Sequence, residues 1–324
     1  MGDATHTYKI VNYVCLVRFY NIFTMIHYDL CLAWNWEHDR DFASLLENDC
    51  TKADLRFFSV TMENLETTLA GFSRREISFS AFLDRASESD NRFQPLVEQA
   101  QNFKVFCINP QNLTLWSADK ATMHLEFVSR GLDTPYTILL SPCHEQPSLP
   151  ALDLSPLGGR FAIKPASLGG GEGVVLDATS IEQVMSVRWQ HPHEKYLLQA
   201  QVTPQVLEGR QAWFRVLVCD GAVFPSWWDL RTHVYTPLRA EERSRFGLGK
   251  LFEVSRRIAQ VCRLDLFSTE IALTGGGLFQ VVDYVNDPVD LRLQSKAADG
   301  VPDVFVEKIA SRLTRLADSK RGSP

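Results

Sequence analysis

Apolar and polar positions in the first hundred residues change period in a regular order. Tyr28–Trp36 (YDLCLAWNW) is an almost continuous apolar run of strand length, and Asp41–Asn48 follows with Phe42, Leu45 and Leu46 at helical spacing. The alternation repeats through strand Leu55–Val60, helix Asn64–Gly71, strand Ile77–Leu83, helix Phe93–Phe103 and strand Lys104–Ile108. Strands alternating with helices of this length predict a parallel sheet with crossover helices, whose ligands lie beyond the carboxyl ends of the strands. The segments at those ends are Asn35-Trp36-Glu37-His38-Asp39-Arg40, Asp84-Arg85-Ala86-Ser87 and Asn109-Pro110-Gln111-Asn112. All are polar and are candidates for a substrate mouth, although the same residue types also serve turns and helix starts.

Past residue 116 the order changes. Ser117-Ala118-Asp119-Lys120 leads a helix through Leu125 and Phe127, with Ser117 or Asp119 as its cap, and Gly131 stops it. Asp133–Leu140 is a turn and strand, and Ser141–Pro156, with four prolines, predicts a linker. A helix over Thr179–Val187 and a strand over Tyr196–Val202 follow the glycine-rich stretch described below. Ala212–Cys219 and Ala222–Trp228 form a hairpin across Asp220-Gly221. Leu251–Cys262 is an amphipathic helix, Leu264–Leu273 and Leu278–Val285 are paired strands, and Val304–Ala317 is a closing helix. The expected division is an α/β domain over 1–116, a central unit over 117–202 and a last unit over 203–324. Residues 1–24 are either an extension ahead of the first domain or a packed N-terminal strand.

Composition narrows the partners. The chain of 324 residues is 45% hydrophobic and 22% charged, with 33 basic against 39 acidic side chains and a net charge of −6. That balance argues against nucleic acid or an anionic membrane as the main partner. Tyr8–Tyr28 is apolar but interrupted by Asn12, Arg18, Asn21 and His27, short of the ~20 clean residues a membrane helix needs. The seven cysteines are scattered and lack CxxC spacing, which suits reduced thiols in a cytoplasmic protein and gives no zinc site. His191 and His193 flank a proline and are expected to be loop residues. Oligomerisation is left open.

Two stretches carry chemistry. Phe161–Val175 (FAIKPASLGGGEGVV) runs from an apolar strand through Lys164 into four glycines within five residues, then back into a strand. Glycine backbone approaches an anion closely, and Lys164 adds a charge beside it. The loop joins two strands, unlike a P-loop or dinucleotide fingerprint, each of which opens a helix. A flap over phosphates and a plain hairpin turn both fit it. The second stretch is DLFSTEIAL followed by LFQVVDYV, two apolar strands holding Glu270 and Asp283. An acid in such a strand is unfavourable unless something positive meets it, so the pair is a candidate Mg²⁺ site; ordinary sheet-surface carboxylates are the alternative.

Taken in order, these landmarks resemble the ATP-grasp superfamily, over roughly Asp119 to Arg292. Asp119-Lys120 with its helix and Gly131–Thr137 (GLDTPYT) resembles the start of that family's central domain, and Lys164 with Gly169–Gly173 its lysine and flap. Leu198–Val202 (LQAQV) resembles its hinge strand, Phe214–Val218 (FRVLV) its phosphate-arginine strand, and Glu270 with Val281–Asn286 (VVDYVN) its metal strands. The resemblance implies an N-terminal parallel-sheet domain ahead of a two-subdomain ATP-grasp fold. It implies ATP and Mg²⁺, with Lys120, Lys164, Ser167, Gly169, Gly170, Gly171, Gly173 and Arg215 around the phosphates. Gln199, Gln201 and Val202 fall at adenine, and Glu270, Asp283 and Asn286 at the metal. Two departures stand out. The family writes acid-x-Asn where this chain has acid-x-x-Asn, so Asn286 needs a bulge or is replaced by Asp287; the hinge has Ala200 and Gln201 where glutamate is common.

The implied reaction joins a carboxylate to an amine through an acylphosphate, with Arg292 offsetting charge as phosphate leaves. Arg292 pairing with Asp290 or Asp287 is the plainer alternative. Trp228, Asp229 and Arg231, after a strand on the cleft side, are candidates for substrate contact, with aromatic core packing and a solvated rim as the alternative. A kinase acting on a sugar or inositol-phosphate hydroxyl, using Arg40, Arg85, Arg231 and Arg292, and a non-catalytic nucleotide-binding module are the competing readings.

Overall fold

The computed structural model describes residues 25–321, so the choice between extension and packed strand for residues 1–24 lies outside the described residues. Strands β1 (Ile26–Trp34), β2 (Phe57–Val60), β3 (Ile77–Arg85) and β4 (Phe106–Ile108) form a parallel sheet in the order β2-β1-β3-β4. Helices α1 (Arg40–Lys52), α2 (Leu65–Ser73) and α3 (Gln94–Asn102) make the crossovers. β1 is apolar on both sides because both are covered. Cys31 and Ala33 meet Phe72 and Phe93, whereas Leu30 and Leu32 meet Phe42 and Leu46 of α1.

One helix departs from expectation. Gln111–Ala118, whose first residues were expected to be polar loop, is helix α4, separated by Asp119 alone from α5 (Lys120–Ser129). Asp119 caps α5 by accepting from Thr122 N at 2.9 Å.

A second, antiparallel sheet holds β5 (Thr137–Leu140), β6 (Phe161–Pro165), β7 (Val175–Ala178) and β8 (Tyr196–Ala200) in the order β5-β8-β6-β7. Ser180 caps its helix α6 (Ile181–Gln190). The proline-rich linker is tied down by fully buried Arg188 of α6, which donates to Ser141 O at 2.8 Å and Gln146 O at 2.9 Å.

After a short ribbon, β9 (Val206–Leu207) with β10 (Arg210–Gln211), comes the third sheet. Its strands β11 (Trp213–Cys219), β12 (Ala222–Trp228), β13 (Tyr235–Pro237), β14 (Leu266–Leu273) and β15 (Phe279–Asn286) run antiparallel in the order β13-β12-β11-β14-β15. Helices α7 (Ala240–Arg245) and α8 (Gly249–Cys262) lie between β13 and β14 in the chain, and α9 (Asp303–Asp318) closes it. One face of this sheet packs Phe214, Val216, Phe267 and Ile271 onto Val254 and Ile258 of α8. On the other face, Leu217, Cys219, Phe224 and Leu266 pack on α9 in a core that also takes in Leu30, Leu32 and Phe42. The N-terminal and last sheets therefore share one core. Only the far half of that second face, around Arg215 and Glu270, is left for polar side chains. Among the described residues no helix is long and apolar enough to cross a membrane.

Candidate active site

Residues paired across neighbouring strands point to the same face of a sheet. The pairings Ser226–Arg215, Arg215–Glu270 and Glu270–Asp283 thus set four polar side chains in a row over β12, β11, β14 and β15. Arg215 donates from Nη1 to Glu270 Oε1 at 2.7 Å and from Nη2 to Ser268 Oγ at 3.3 Å. Trp213, two residues earlier on the same face, donates to Glu270 Oε2 at 2.9 Å. From the second sheet, Lys164 at the end of β6 donates to Gln199 Oε1 at 2.7 Å and to Val282 O at 3.2 Å, which brings its ammonium to the residue beside Asp283. Lys120 joins them by donating to Leu168 O at 2.7 Å, at the root of the glycine loop.

Strand β15 loses register on both sides of Asp283. Ile271 pairs with Val281, Glu270 with Asp283 and Ser268 with Asn286, so β15 carries one surplus residue in each interval. The first surplus turns Asp283 to the cleft although Val281, two residues away, is in the core. The second brings Asn286 back to the cleft, where its Nδ2 donates to Asp283 Oδ2 at 2.9 Å. Asp283 Oδ1 and Asn286 Oδ1 accept no protein donor among the described residues. Those atoms with Glu270 make a hard-oxygen set of the kind Mg²⁺ prefers. Asp287, the alternative third donor, is engaged elsewhere: Asn109 Nδ2 donates to its Oδ1 at 2.8 Å and Thr114 Oγ1 to its Oδ2 at 3.0 Å.

The charges are unevenly matched. Burial raises the Glu270 carboxyl above its ordinary range, and neighbouring Asp283 adds to this against the pull of Arg215. Burial alone would raise Asp283 as well, but Lys164 first and then Lys120 hold it below the usual range. Lys164 itself is lowered by burial, opposed by the two acids. Three cations against two carboxylates leave a surplus positive charge for an anionic ligand.

Gly169, Gly170 and Gly171 form an exposed loop whose Cα positions have open space around them, with φ of 59° at Gly170 and 79° at Gly171. Gly173 is different. At φ +68° an added Cβ would sit 3.3 Å from Pro165 Cγ and 3.6 Å from His191, so this glycine is where the flap is pinned. Ser167 N is bonded to Glu194 Oε2 at 3.1 Å. Gln199 is buried, its amide shared between Lys164 and Tyr284 Oη at 3.0 Å. Gln201 donates to Leu176 O and Asp177 Oδ1, both at 2.9 Å, while Val202 packs with Trp213 and Val282.

The mouth residues are less concentrated. Arg292 is forked onto Asp290 at 2.7 Å, bridges Asp299 at 2.9 Å, and lies 5.8 Å from the Trp36 ring centroid. Trp228 stacks on His233 at 5.4 Å and carries the Arg215 guanidinium 5.1 Å from its centroid. Asp229 accepts Arg231 N and Thr232 N in its own turn, and Arg231 is exposed. The fold thus gathers Lys120, Lys164, Arg215, Glu270, Asp283 and Asn286, and leaves Asp229 and Arg231 in a surface turn.

Sequence reasoning passed over Trp213 and the relay Lys164–Gln199–Tyr284–His124, whose last link is a 2.7 Å bond from Tyr284 Oη to His124 Nδ1. Trp213 carried a usable signal, two residues before Arg215 on one strand. The relay carried none.

No family model and no curated protein matches this chain. Solved structures do. The ATP-grasp ligase PsnB complexed with minimal precursor, Mg and ADP aligns over 90% of this chain and 98% of its own, with TM-score 0.60 and 11% identity. D-alanine–D-alanine ligase from Bacillus anthracis complexed with ATP covers 92% of this chain and 99% of its own, at 0.59 and 12%. A RimK domain ATP-grasp protein from Sphaerobacter thermophilus covers 88% and 98%, at 0.60 and 17%. At these identities the likeness is one of fold.

Proposed function

From the ATP-grasp fold as premise, we propose that the chain is an ATP- and Mg²⁺-dependent ligase that joins a carboxylate to an amine. The observation that carries the reading is the row Arg215–Glu270–Asp283 facing Lys164 and Lys120, with donor oxygens left over on Asp283 and Asn286. The neighbours' nucleotide and metal, ADP with Mg in PsnB and ATP in D-alanine–D-alanine ligase, match what such a row would take.

Lys164, Lys120 and Arg215 hold the triphosphate under the Gly169–Gly173 flap, with adenine against Gln201 and Val202. Glu270, Asp283 and Asn286 would hold Mg²⁺, which would supply charge neutralisation for the transferred phosphoryl group. A substrate carboxylate oxygen attacks the γ-phosphorus, the bond to the β-phosphate oxygen breaks, and ADP leaves. The amine nitrogen then attacks the acyl carbon of the acylphosphate, the carbon–oxygen bond breaks, inorganic phosphate departs and the nitrogen loses a proton. Positioning and charge do the work, and no side-chain nucleophile is required. Trp228, stacked on His233, is the substrate-facing aromatic. Arg292 serves the departing phosphate only by exchanging its Asp299 contact, which is partly exposed.

For a kinase acting on polyol phosphates, Arg85 is neutralised by Asp39 and Arg292 by two acids, which of its candidate arginines leaves Arg40 and Arg231 without an ion pair among the described residues. The test is a screen of amino acids, dipeptides and polyol phosphates for ADP formation, followed by product mass. A ligase gives ADP, free phosphate and a joined product; ADP with a phosphorylated acceptor and no free phosphate would overturn the reading.

A further inference from the structure

We propose that Asn109 is a positioning residue for Asn286, holding the end of β15 from the N-terminal sheet; this rests on the nucleotide–metal reading above. The surplus residues around Asp283 interrupt the β14–β15 ladder, which closes again only on the terminal pair Ser268–Asn286. That last pair at the strand end is reinforced from outside the hairpin. Asn109, immediately after β4, is buried and adopts φ 56°, a left-handed conformation that asparagine tolerates. Its Oδ1 accepts from Asp265 N at 2.8 Å and Leu266 N at 3.0 Å, while its Nδ2 donates to Leu266 O and to Asp287 Oδ1. One amide therefore joins the carboxyl end of β4, the start of β14 and the residue after Asn286. Thr114 of α4 takes the other Asp287 oxygen, and Arg85 of β3, gripped by Asp39, donates to Val289 O at 2.9 Å. Segment 287–289 is thus held at both ends by side chains of the N-terminal unit and α4. Asn286, one residue upstream, inherits its position from that clamp. Arg85 and Asn109, from the polar segments after β3 and β4, take part in this clamp.

The experiment is equilibrium binding of Mn²⁺ in the presence of an unhydrolysable ATP analogue, followed by electron paramagnetic resonance. Asn109→Ala is expected to weaken Mn²⁺ about tenfold or more, the usual effect of losing a group that orients a metal ligand. Binding of the analogue without metal stays the same. Thr114→Val, of matching shape, is expected to act in the same direction by a smaller factor, and it decides the matter if Asn109→Ala does not fold. Folded variants with wild-type Mn²⁺ affinity, altered only in melting temperature, would overturn the clamp alone. Wild-type protein whose Mn²⁺ binding ignores the analogue would overturn the nucleotide–metal reading and the clamp with it.

Discussion

Charges at the two ends of the cleft are handled in opposite ways. At the mouth Arg85 is closed off by Asp39, Arg292 by Asp290 and Asp299, and Asp229 by its own turn, while Arg231 stands exposed. At the hairpin, two partly buried acids face three cations from three different elements, and oxygens on Asp283 and Asn286 accept no donor among the described residues. Closed pairs hold a structure together. A cluster whose charges do not cancel and whose acids are shifted in opposite directions is what a reactive ligand requires.

The sharpest way to break this contrast is to alter the hairpin. Asp283→Asn or Lys164→Ala is expected to lower ATP-dependent phosphate release by about a thousandfold, the scale of removing a principal charge-stabilising group, with circular dichroism unchanged. Wild-type turnover in both would make the row ornamental. At the mouth the effect should appear in stability instead. Arg85→Met strands the buried Asp39 carboxylate, and urea unfolding is expected to show a loss of roughly 3 kcal/mol while nucleotide affinity persists. Arg292→Ala falls between. A decrease of roughly tenfold in turnover, with nucleotide affinity retained, is expected for a group that acts only at the departing phosphate; equal loss of both would move Arg292 to the nucleotide. The smallest effect separates two glycines of one loop. Gly173→Ala is expected to cost about 1 kcal/mol through its positive φ and its tight contact with Pro165, whereas Gly169→Ala, with open space around it, should leave the melting temperature unchanged.

Much of the fold was legible because its local signals agree. In the first hundred residues, strands covered on both faces read as apolar-rich runs and helices as a repeating face, and the structure has both where they were expected. Helix α4 escaped because QNLTLWSA has no continuous apolar stripe; only Leu113 and Trp116 lean on the core. At the site, Lys164, Glu270 and Asp283 stood out by being charged within apolar strands. Asn286 was legible only together with a bulge, and the bulge is there. Asn109 and Arg85 were not legible as a clamp. Arg85 reaches Val289 across 204 residues of sequence and Asn109 reaches Asp287 across 178, and no local pattern encodes such a pairing. Arg292 illustrates the converse, since its partner Asp290 lies two positions away.

The surplus residues in β15 also set the arithmetic of its two cleft groups. On a flat strand, side chains three positions apart point to opposite sides, so an odd spacing separates them. Adding one residue converts odd into even, and the spelling Asp-x-x-Asn delivers to one side what Asp-x-Asn delivers without the insertion. Substituting Tyr284 or Val285 leaves that parity intact, and deleting either one together with the bulge gives Asp-x-Asn, whose even spacing keeps the asparagine on the side of Asp283.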